Sequence, residues 1–510
     1  MGDVFSNLLT GFQNALTLTN IGFGFLGVFI GTLVGVIPGI GPINAIALLI
    51  PLSFGLDPVT GLILLTGVYY GSMYGGSTTS ILVRTPGEVA SIVTTLDGYE
   101  MARQGRAGPA LSTAAIGSFI AGTLALVGLM FLAPVIAKAA YYFGSAEYFL
   151  LIILAMSMIS SLSTGSALKG YISVFIGLAV ATVGIDPQSG INRFTFGITN
   201  LLDGIDFILF SIALFAIPEA LSNIGKKKLE TKMQIQKIKG SLWMNREDWK
   251  RSIGPYGRGS VLGFLIGALP GIGPSLASFM SYAMEKKISK HPEKFGKGAI
   301  EGVSGPEAAN NAGVGGALVP LFTLGIPGSA TTALLLYVFM MYGLQPGPGM
   351  FETNSTLIWA IIASMYVGNV ILLLLNLPLV GLFASLLKIP LVPLFVGVLA
   401  FSVLGVYSIN FNSFDLILLF IFGLVGYGMQ YFNIPLAPAV MALVLGGLME
   451  ENFRRTMNIS NGNIFVFFER PVSIALIIVI VLVVIVPGIL SIMKKRRQKN
   501  ASAEEGINIS

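Results

Sequence analysis

The chain of 510 residues is 54% hydrophobic and only 11% charged, with a mean hydropathy of +0.82; soluble proteins carry roughly 25% charged residues, so this is an integral membrane protein. No cysteine and a single histidine exclude disulfides, thiolate metal sites, haem attachment and cysteine nucleophiles. The net charge of +6 reads as basic cytoplasmic loops and implies no nucleic-acid partner.

Apolar stretches of roughly 17–25 residues match a hydrocarbon core about 30 Å thick, whereas the alternating segments of a β-barrel are absent. Met1 to Asn20 contains no Lys or Arg, so it lacks the basic start of a cleavable signal peptide. In chain order, membrane elements are predicted at 21–55, 58–82, 110–135, 146–163, 168–185 and 205–222. A polar segment, 226–258, follows with ten basic and three acidic residues. Further elements are predicted at 259–284, 312–341, 356–382, 389–407, 414–430, 433–449 and 471–492. The expected organisation is a first membrane repeat (1–225), a basic cytoplasmic linker (226–258), a second repeat (259–450), an outer loop with a final span (451–493) and a basic tail (494–510) that opens with Lys494-Lys495-Arg496-Arg497.

The first element of each half is interrupted by the same octapeptide, Gly35-Val36-Ile37-Pro38-Gly39-Ile40-Gly41-Pro42 and Gly267-Ala268-Leu269-Pro270-Gly271-Ile272-Gly273-Pro274. Two prolines and three glycines stop a helix, and within lipid such a stop is tolerated only where protein or a water-filled cavity covers the freed backbone. The parallel continues: Gly75-Gly76 with Thr85-Pro86-Gly87 matches Gly315-Gly316 with Ile326-Pro327-Gly328, and Ile116-Gly117-Ser118 with Gly122 matches Ile362-Ala363-Ser364 with Gly368. Ordered spacing of this kind predicts an internal repeat.

Charge then predicts topology. If each broken element is a re-entrant hairpin with arms of roughly 11 residues, about 17 Å each, one side of the membrane collects 25 of the 30 basic residues. Lys138, Arg193, Arg454, Arg455 and Arg470 remain on the other side. The fold expected is an all-α polytopic membrane protein of two inverted repeats with re-entrant hairpins and about 11–12 transmembrane helices. Its N-terminus would be periplasmic and its C-terminus cytoplasmic.

Two stretches are candidates for substrate contact. The first is the pair of octapeptides: Pro38, Gly39, Gly41, Pro270, Gly271 and Gly273 free helix ends whose N–H groups attract carboxylates, and Asn44 and Ser275 add donors just inside the new arms. The alternative is that these small residues simply let helices pack closely. The second stretch, Tyr69 to Glu88 with its counterpart Asn310 to Thr332, brings Ser77, Thr78, Thr79, Asn310, Asn311, Pro327, Gly328 and Ser329 to membrane depth, where unsatisfied polar groups are costly. Gly75, Gly76, Ser80, Thr331 and Thr332 offer carbonyls and hydroxyls suited to Na⁺. Arg84 has two readings, a bidentate partner for a substrate carboxylate or a cytoplasmic-end anchor that snorkels to headgroups.

Asp57 before Pro58 is a natural N-cap, Glu219 after Pro218 lies near Lys226–Lys228, and His291 sits in a polar loop. With no histidine in the spans and no carboxylate placed convincingly within them, the balance tilts from H⁺ to Na⁺ as coupling ion.

The two Pro-Gly-Ile-Gly-Pro breaks, Tyr70 through Leu82, Thr85-Pro86-Gly87-Glu88, Gly305-Pro306-Glu307-Ala308-Ala309-Asn310-Asn311-Ala312 and Leu324-Gly325-Ile326-Pro327-Gly328-Ser329 resemble the large membrane subunit of bacterial tripartite tricarboxylate transporters. The resemblance covers about residues 15–490. It implies a secondary active carboxylate importer in the bacterial inner membrane, working with a periplasmic solute-binding protein and a small four-helix membrane subunit, driven by a Na⁺ or H⁺ gradient and without a cofactor. A G-x-x-x-x-G-K-[ST] motif for ATP is absent from this chain. The competing classes are a stand-alone carboxylate carrier or channel, and a membrane-embedded transferase built on Glu450-Glu451-Asn452-Phe453-Arg454-Arg455.

Overall fold

The computed structural model describes residues 2–162, 166–224, 235–238, 240–389 and 391–486. The first half runs α1 (Gly2–Ala15), α2 (Leu18–Val36), α3 (Gly41–Ser53), α4 (Pro58–Val83), α5 (Thr94–Met101), α6 (Ala107–Ala140), α7 (Ser145–Leu162), α8 (Ala167–Ala181) and α9 (Phe207–Ile224). The second runs α10 (Arg246–Gly267), α11 (Gly273–Ile288), α12 (Glu301–Leu324), α13 (Ala330–Met341), α14 (Met350–Thr353), α15 (Ser355–Asn376), α16 (Val380–Leu386), α17 (Leu391–Asn410), α18 (Ser413–Tyr431) and α19 (Ala437–Ile459), followed by α20 (Pro471–Val486). Among the described residues the only strands are Gly184–Ile185 and Asn192–Arg193, an antiparallel pair before α9.

Both octapeptides break the helix. Within them the backbone turns left-handed at Gly39 (φ 89°) and Gly41 (64°), and again at Gly271 (83°) and Gly273 (69°), conformations that glycine adopts without strain. Pro42 and Pro274 fall in the first turn of the new helices, where no N–H is needed. A second break follows α4 and α12. Each ends on a left-handed cap, Arg84 (φ 61°) or Gly325 (66°). Four residues later Glu88 and Ser329 cap the next helical turn, each in a capping box closed by Ser91 or Thr332. The cap expected at Asp57 is present.

Close backbone approach sets the frame. On α2, Gly27, Gly31 and Gly35 lie against the carbonyls of Leu64, Val68 and Ser72 of α4; on α10, Gly259, Gly263 and Gly267 lie against those of Gly305, Ala309 and Gly313 of α12. A methyl group at any of the six would overlap the facing oxygen. This is the small-residue packing of membrane helices, and it runs directly into both breaks. It also corrects the internal alignment by one residue. Gly75 faces the carbonyl of Thr32 as Gly316 faces that of Phe264, and Gly87 packs on Gly76 as Gly328 packs on Ala317, so Gly75-Gly76 corresponds to Gly316-Ala317.

Between halves the partners exchange. Helix α6 packs on α12 and α15 on α4; α8 packs on α19 and α18 on α9; α7 packs on α19 and α17 on α9. At the centre, α12 is buried at every position from Gly302 to Thr323 and α4 from Thr60 to Leu82 except Gly67. The described helices long and apolar enough to cross a membrane are α2, α5 with α6, α15, α17 and α18. The central pair is sheathed in protein and so has no need of a lipid-compatible surface. For the same reason the predicted element 312–341 begins eleven residues late and merges two helices: α12 starts at Glu301, and α13 lies beyond the break.

The polar segment 226–258 is helical from Arg246, where Asn245 and Asp248 form a capping box. Lys226–Lys228 and Lys494–Arg497 lie outside the described residues. Helix α1, unanticipated, packs on α15, with Gly11 against the carbonyl of Trp359. At one end of the molecule Arg106 pairs with Asp248, Arg251 with Glu301 (2.7 Å) and Arg258 with Glu285 (2.6 Å), and Gln104 donates to the Lys297 carbonyl (2.8 Å). Asp97 there accepts from the N–H groups of Gly296, Gly298 and Ala299 and from the Tyr282 hydroxyl. At the other end Asp186, Arg193, Glu450 and Arg454 form one network, and the Arg454 guanidinium holds the Asp186 carboxyl well below the usual carboxylate range. Glu450 and Arg454, raised as a possible enzyme site, are bound up in that network.

Replacing Gly31 or Gly263 by alanine is expected to lower stability by about 1–3 kcal/mol through overpacking. Gly22, which faces open space, should tolerate alanine with stability level or slightly raised. Thermal unfolding of the detergent-purified protein checks both.

Candidate functional site

The buried polar groups converge where α4 and α12 cross beside the break at 84–88. Glu307 lies one and a half turns into α12 and is fully buried. Its carboxylate accepts from the Ser77 hydroxyl of α4 (2.5 Å) and from the Thr94 hydroxyl at the start of α5. Glu88, 8% exposed, accepts from its own turn at the Ala90 N–H (2.6 Å) and from the Asn310 side-chain amide of the other half (3.2 Å). Asn311 donates to the Ser118 hydroxyl of α6 (2.6 Å) and to the backbone carbonyl of Glu307 (3.1 Å). Nearby, the Tyr74 hydroxyl donates to Asn369 of α15 (2.6 Å), whose amide donates to the Phe119 carbonyl and the Thr123 hydroxyl of α6. Five helices, α4, α5, α6, α12 and α15, are thereby tied around one polar centre.

The second break is built to the same plan with different side chains. Ser329 stands where the first half has Glu88, and Tyr69 of α4 reaches it across the halves (3.5 Å) as Asn310 of α12 reaches Glu88. Gly273, at the tip of the second hairpin, packs on the Ser329 side chain, so tip and break meet there.

The sequence candidates divide accordingly. Ser77, Asn310 and Asn311 belong to the buried centre. Thr78 is buried beside it, lining with Tyr74, Ser77, Leu111, Ser118 and Asn376 a cavity of about 10 Å³, room for a single water and far less than a carboxylate substrate requires. Thr79 is spent on structure, donating to the Val36 carbonyl at the end of α2 (2.6 Å). Ser80 is bound to Gly76 and Ser91, and Thr332 to Ser329; with Gly75 packed on α2 and Thr331 buried in the second break, these residues form no common cage. Gly76 does lie against the Glu88 side chain.

Pro38 is buried, and Gly39 sits beside the Glu219 carboxylate, which also accepts from Asn223 (2.6 Å). Asn44 turns back onto the Ile40 carbonyl (2.5 Å) and leaves its own oxygen buried without a donor. Gly41 faces open space, whereas Gly271 packs on Ile159 and the Ala155 carbonyl. Pro270 and Ser275 are half-buried, Pro327 is buried, and Gly328 packs on Ala317. Arg84 is not brought to the centre: its side chain is 61% exposed, 4.0 Å from Glu100 and over the Tyr99 ring. His291 is likewise exposed.

Sequence reasoning missed Glu88 and Glu307 as buried carboxylates, which removes the premise that the spans hold none and with it the ground on which Na⁺ was preferred to H⁺. The available signal was an acid set directly after a small or helix-breaking residue, Gly87-Glu88 and Pro306-Glu307, within otherwise uncharged runs of glycine, alanine, serine and asparagine or threonine. A larger cavity of about 330 Å³ between α7, α8 and α19 is apolar and shares no residue with either break.

Asn310→Ala should leave Glu88 short of a donor and cost about 1–3 kcal/mol in thermal unfolding. Arg84→Gly, which gives the left-handed cap the residue that the second half already has, should be at least as stable as the parent protein.

The model of the tripartite tricarboxylate transporter TctA family matches residues 21–441. Over 496 residues, 97% of this chain and 98% of the relative, the sequence is 46% identical to an uncharacterised 52.8 kDa protein in the TAR-I ttuC′ 3′ region of Agrobacterium vitis. A second uncharacterised protein of that organism, in the TAR-II ttuC′ 3′ region, is 45% identical over 236 residues, 46% of this chain and 98% of the relative. No solved structure matches. With broken helices in both halves, a buried polar crossing and a family match over most of its length, the chain belongs to the tripartite tricarboxylate transporter TctA family.

Proposed function

We propose that the protein is the permease subunit of an ion-gradient-driven importer of tri- or dicarboxylates or related organic acids, resident in the bacterial inner membrane. It receives substrate from a periplasmic solute-binding protein, acts with a small four-helix membrane subunit and works by alternating access. The observation that carries this reading is the buried α4–α12 crossing, where both halves place a helix break and each break is touched by a polar side chain of the opposite half. Unsatisfied polar groups are costly at that depth, and transporters place substrate and ions at such breaks.

The two halves are proposed as inverted repeats. Support comes from the equal glycine register of α2–α4 and α10–α12 and from the exchanged packing of α8, α9, α18 and α19. The basic side is proposed as cytoplasmic by the positive-inside rule, the segments around Arg84, Arg106, Asp248 and Lys297 being gathered at one end. The cavity at the crossing is too small for a carboxylate, so uptake requires the halves to move apart on one side at a time. Helix N-termini at Gly41 and Gly273 supply partial positive charge for the anion.

Proteoliposomes containing the permease and its small partner should accumulate radiolabelled citrate or a dicarboxylate only when a cognate binding protein and an inward ion gradient are both present. Equal uptake without the binding protein favours a stand-alone carrier, and gradient-independent equilibration favours a channel. Because the chain has no cysteine, Lys287→Cys tests orientation cleanly: an impermeant maleimide added to intact cells should leave it unlabelled.

A further inference from the structure

We infer that Glu88, Glu307, Asn310 and Asn311, with the hydroxyls of Ser77 and Thr94, form the binding site of the coupling cation, and that this cation is Na⁺. The inference rests on the ion-coupled carrier reading above and names its ion site.

Two buried polar atoms of the cluster lack partners. Asn310 and Asn311 are buried, and in each the side-chain oxygen has no donor. Their nitrogens are used, one on Glu88 and the other on Ser118 and the Glu307 carbonyl. The amide orientation of Asn310 follows from its partner, since an ionised Glu88 carboxylate only accepts. Every orphan in the cluster is therefore an acceptor. A site for an anion would leave donors unpaired; this one lacks a positive partner.

Charge points the same way. Among the described residues neither Glu88 nor Glu307 pairs with Lys, Arg or His. Two carboxylates buried together without a cation repel each other and have lost their hydration. Glu307, Asn310 and Asn311 stand at positions i, i+3 and i+4 of α12, so one helix face presents three oxygen-bearing groups. Ser77 reaches that face from α4 and Thr94 from α5, and Glu88 comes from the break between those helices.

A proton on one carboxylate would supply a single donor and leave an amide oxygen unmatched, whereas a metal ion accepts several oxygens at once. The donor set is all oxygen, the ligand class of hard cations. No third His, Cys, Asp or Glu joins the two carboxylates among the described residues, so neutral amide and hydroxyl oxygens make up the rest of the set. The ion would join α12 to both sides of the first break, which makes its binding sensitive to the geometry of that break.

The test is equilibrium binding, which needs no substrate. Thermal unfolding of the purified full chain is measured in NaCl and in choline chloride at equal ionic strength, at several pH values. Saturating Na⁺ should raise the midpoint by about 5 °C. Glu307→Gln and Asn310→Ala should each abolish that increment while remaining folded in choline. Asn311→Ala serves as a further probe should either fold poorly, and the exposed Glu293→Gln, 63% exposed, should keep the full increment. A wild-type midpoint indifferent to Na⁺ at every pH overturns the proposal, as does one that follows pH alone. An increment surviving in all three variants of the cluster overturns it as well. Failure of the carrier reading looks different: no carboxylate moves in proteoliposomes although the Na⁺ increment is present.

Discussion

The structure depends on two helix pairs touching backbone to backbone. Glycine spaced every four residues lets α2 lie on α4 and α10 on α12 with carbonyl oxygens where side chains would otherwise be, and association of this kind in lipid rests on close packing. The consequence reaches the breaks. An interrupted helix exposes carbonyls and N–H groups that hydrocarbon cannot satisfy, and here the closely held partner supplies what is missing: Thr79 of α4 donates to Val36 at the end of α2. Gly87 of the following break lies directly on Gly35 and Gly76. The same residues permit the packing and the interruption, so the packing and binding readings of the octapeptides are compatible.

Equal architecture with unequal chemistry is the second feature. Both second breaks have a left-handed cap, a capping box four residues later and a polar visitor from the opposite half. The first carries a carboxylate capped by an amide, Glu88 with Asn310; the second carries a hydroxyl near a phenol, Ser329 with Tyr69. Only one of the two equivalent places is charged. On the proposed reading, a frame with acid on one break alone separates the labour of binding an ion from that of binding an anion.

Much of this was legible in the sequence and some was hidden for a physical reason. Proline and glycine announce breaks because their backbone limits are local, and the octapeptides, the cap at Asp57 and the ordered repeat are all visible without coordinates. Hydropathy, in contrast, reports compatibility with lipid. Helix α12 begins Glu301-Gly-Val-Ser-Gly-Pro-Glu-Ala-Ala-Asn-Asn, too polar to read as a span, and is buried because protein surrounds it on every side. The carboxylates of Glu88 and Glu307 were missed with it. Arg84 was attractive as the only base in the first 102 residues, but it occupies a left-handed cap and its side chain lies at the surface. Tertiary context decided both cases.

Electroneutrality links the ion to the anion on the proposed reading. With both carboxyls ionised, as the proposed cation site requires, a di- or tricarboxylate brought near Glu88 and Glu307 meets two buried negative charges, and no basic side chain of the described residues stands beside them. In a low-dielectric interior that repulsion is large. The partial charges at the N-termini of α3 and α11 amount to about half a unit each and do not offset it. Binding of the substrate is therefore favourable only when a cation has already occupied the acidic centre, and the cation is held more tightly once the substrate is present, since linkage between two ligands is reciprocal. On that reading coupling requires no separate device: it follows from placing uncompensated carboxylates at the α4–α12 crossing.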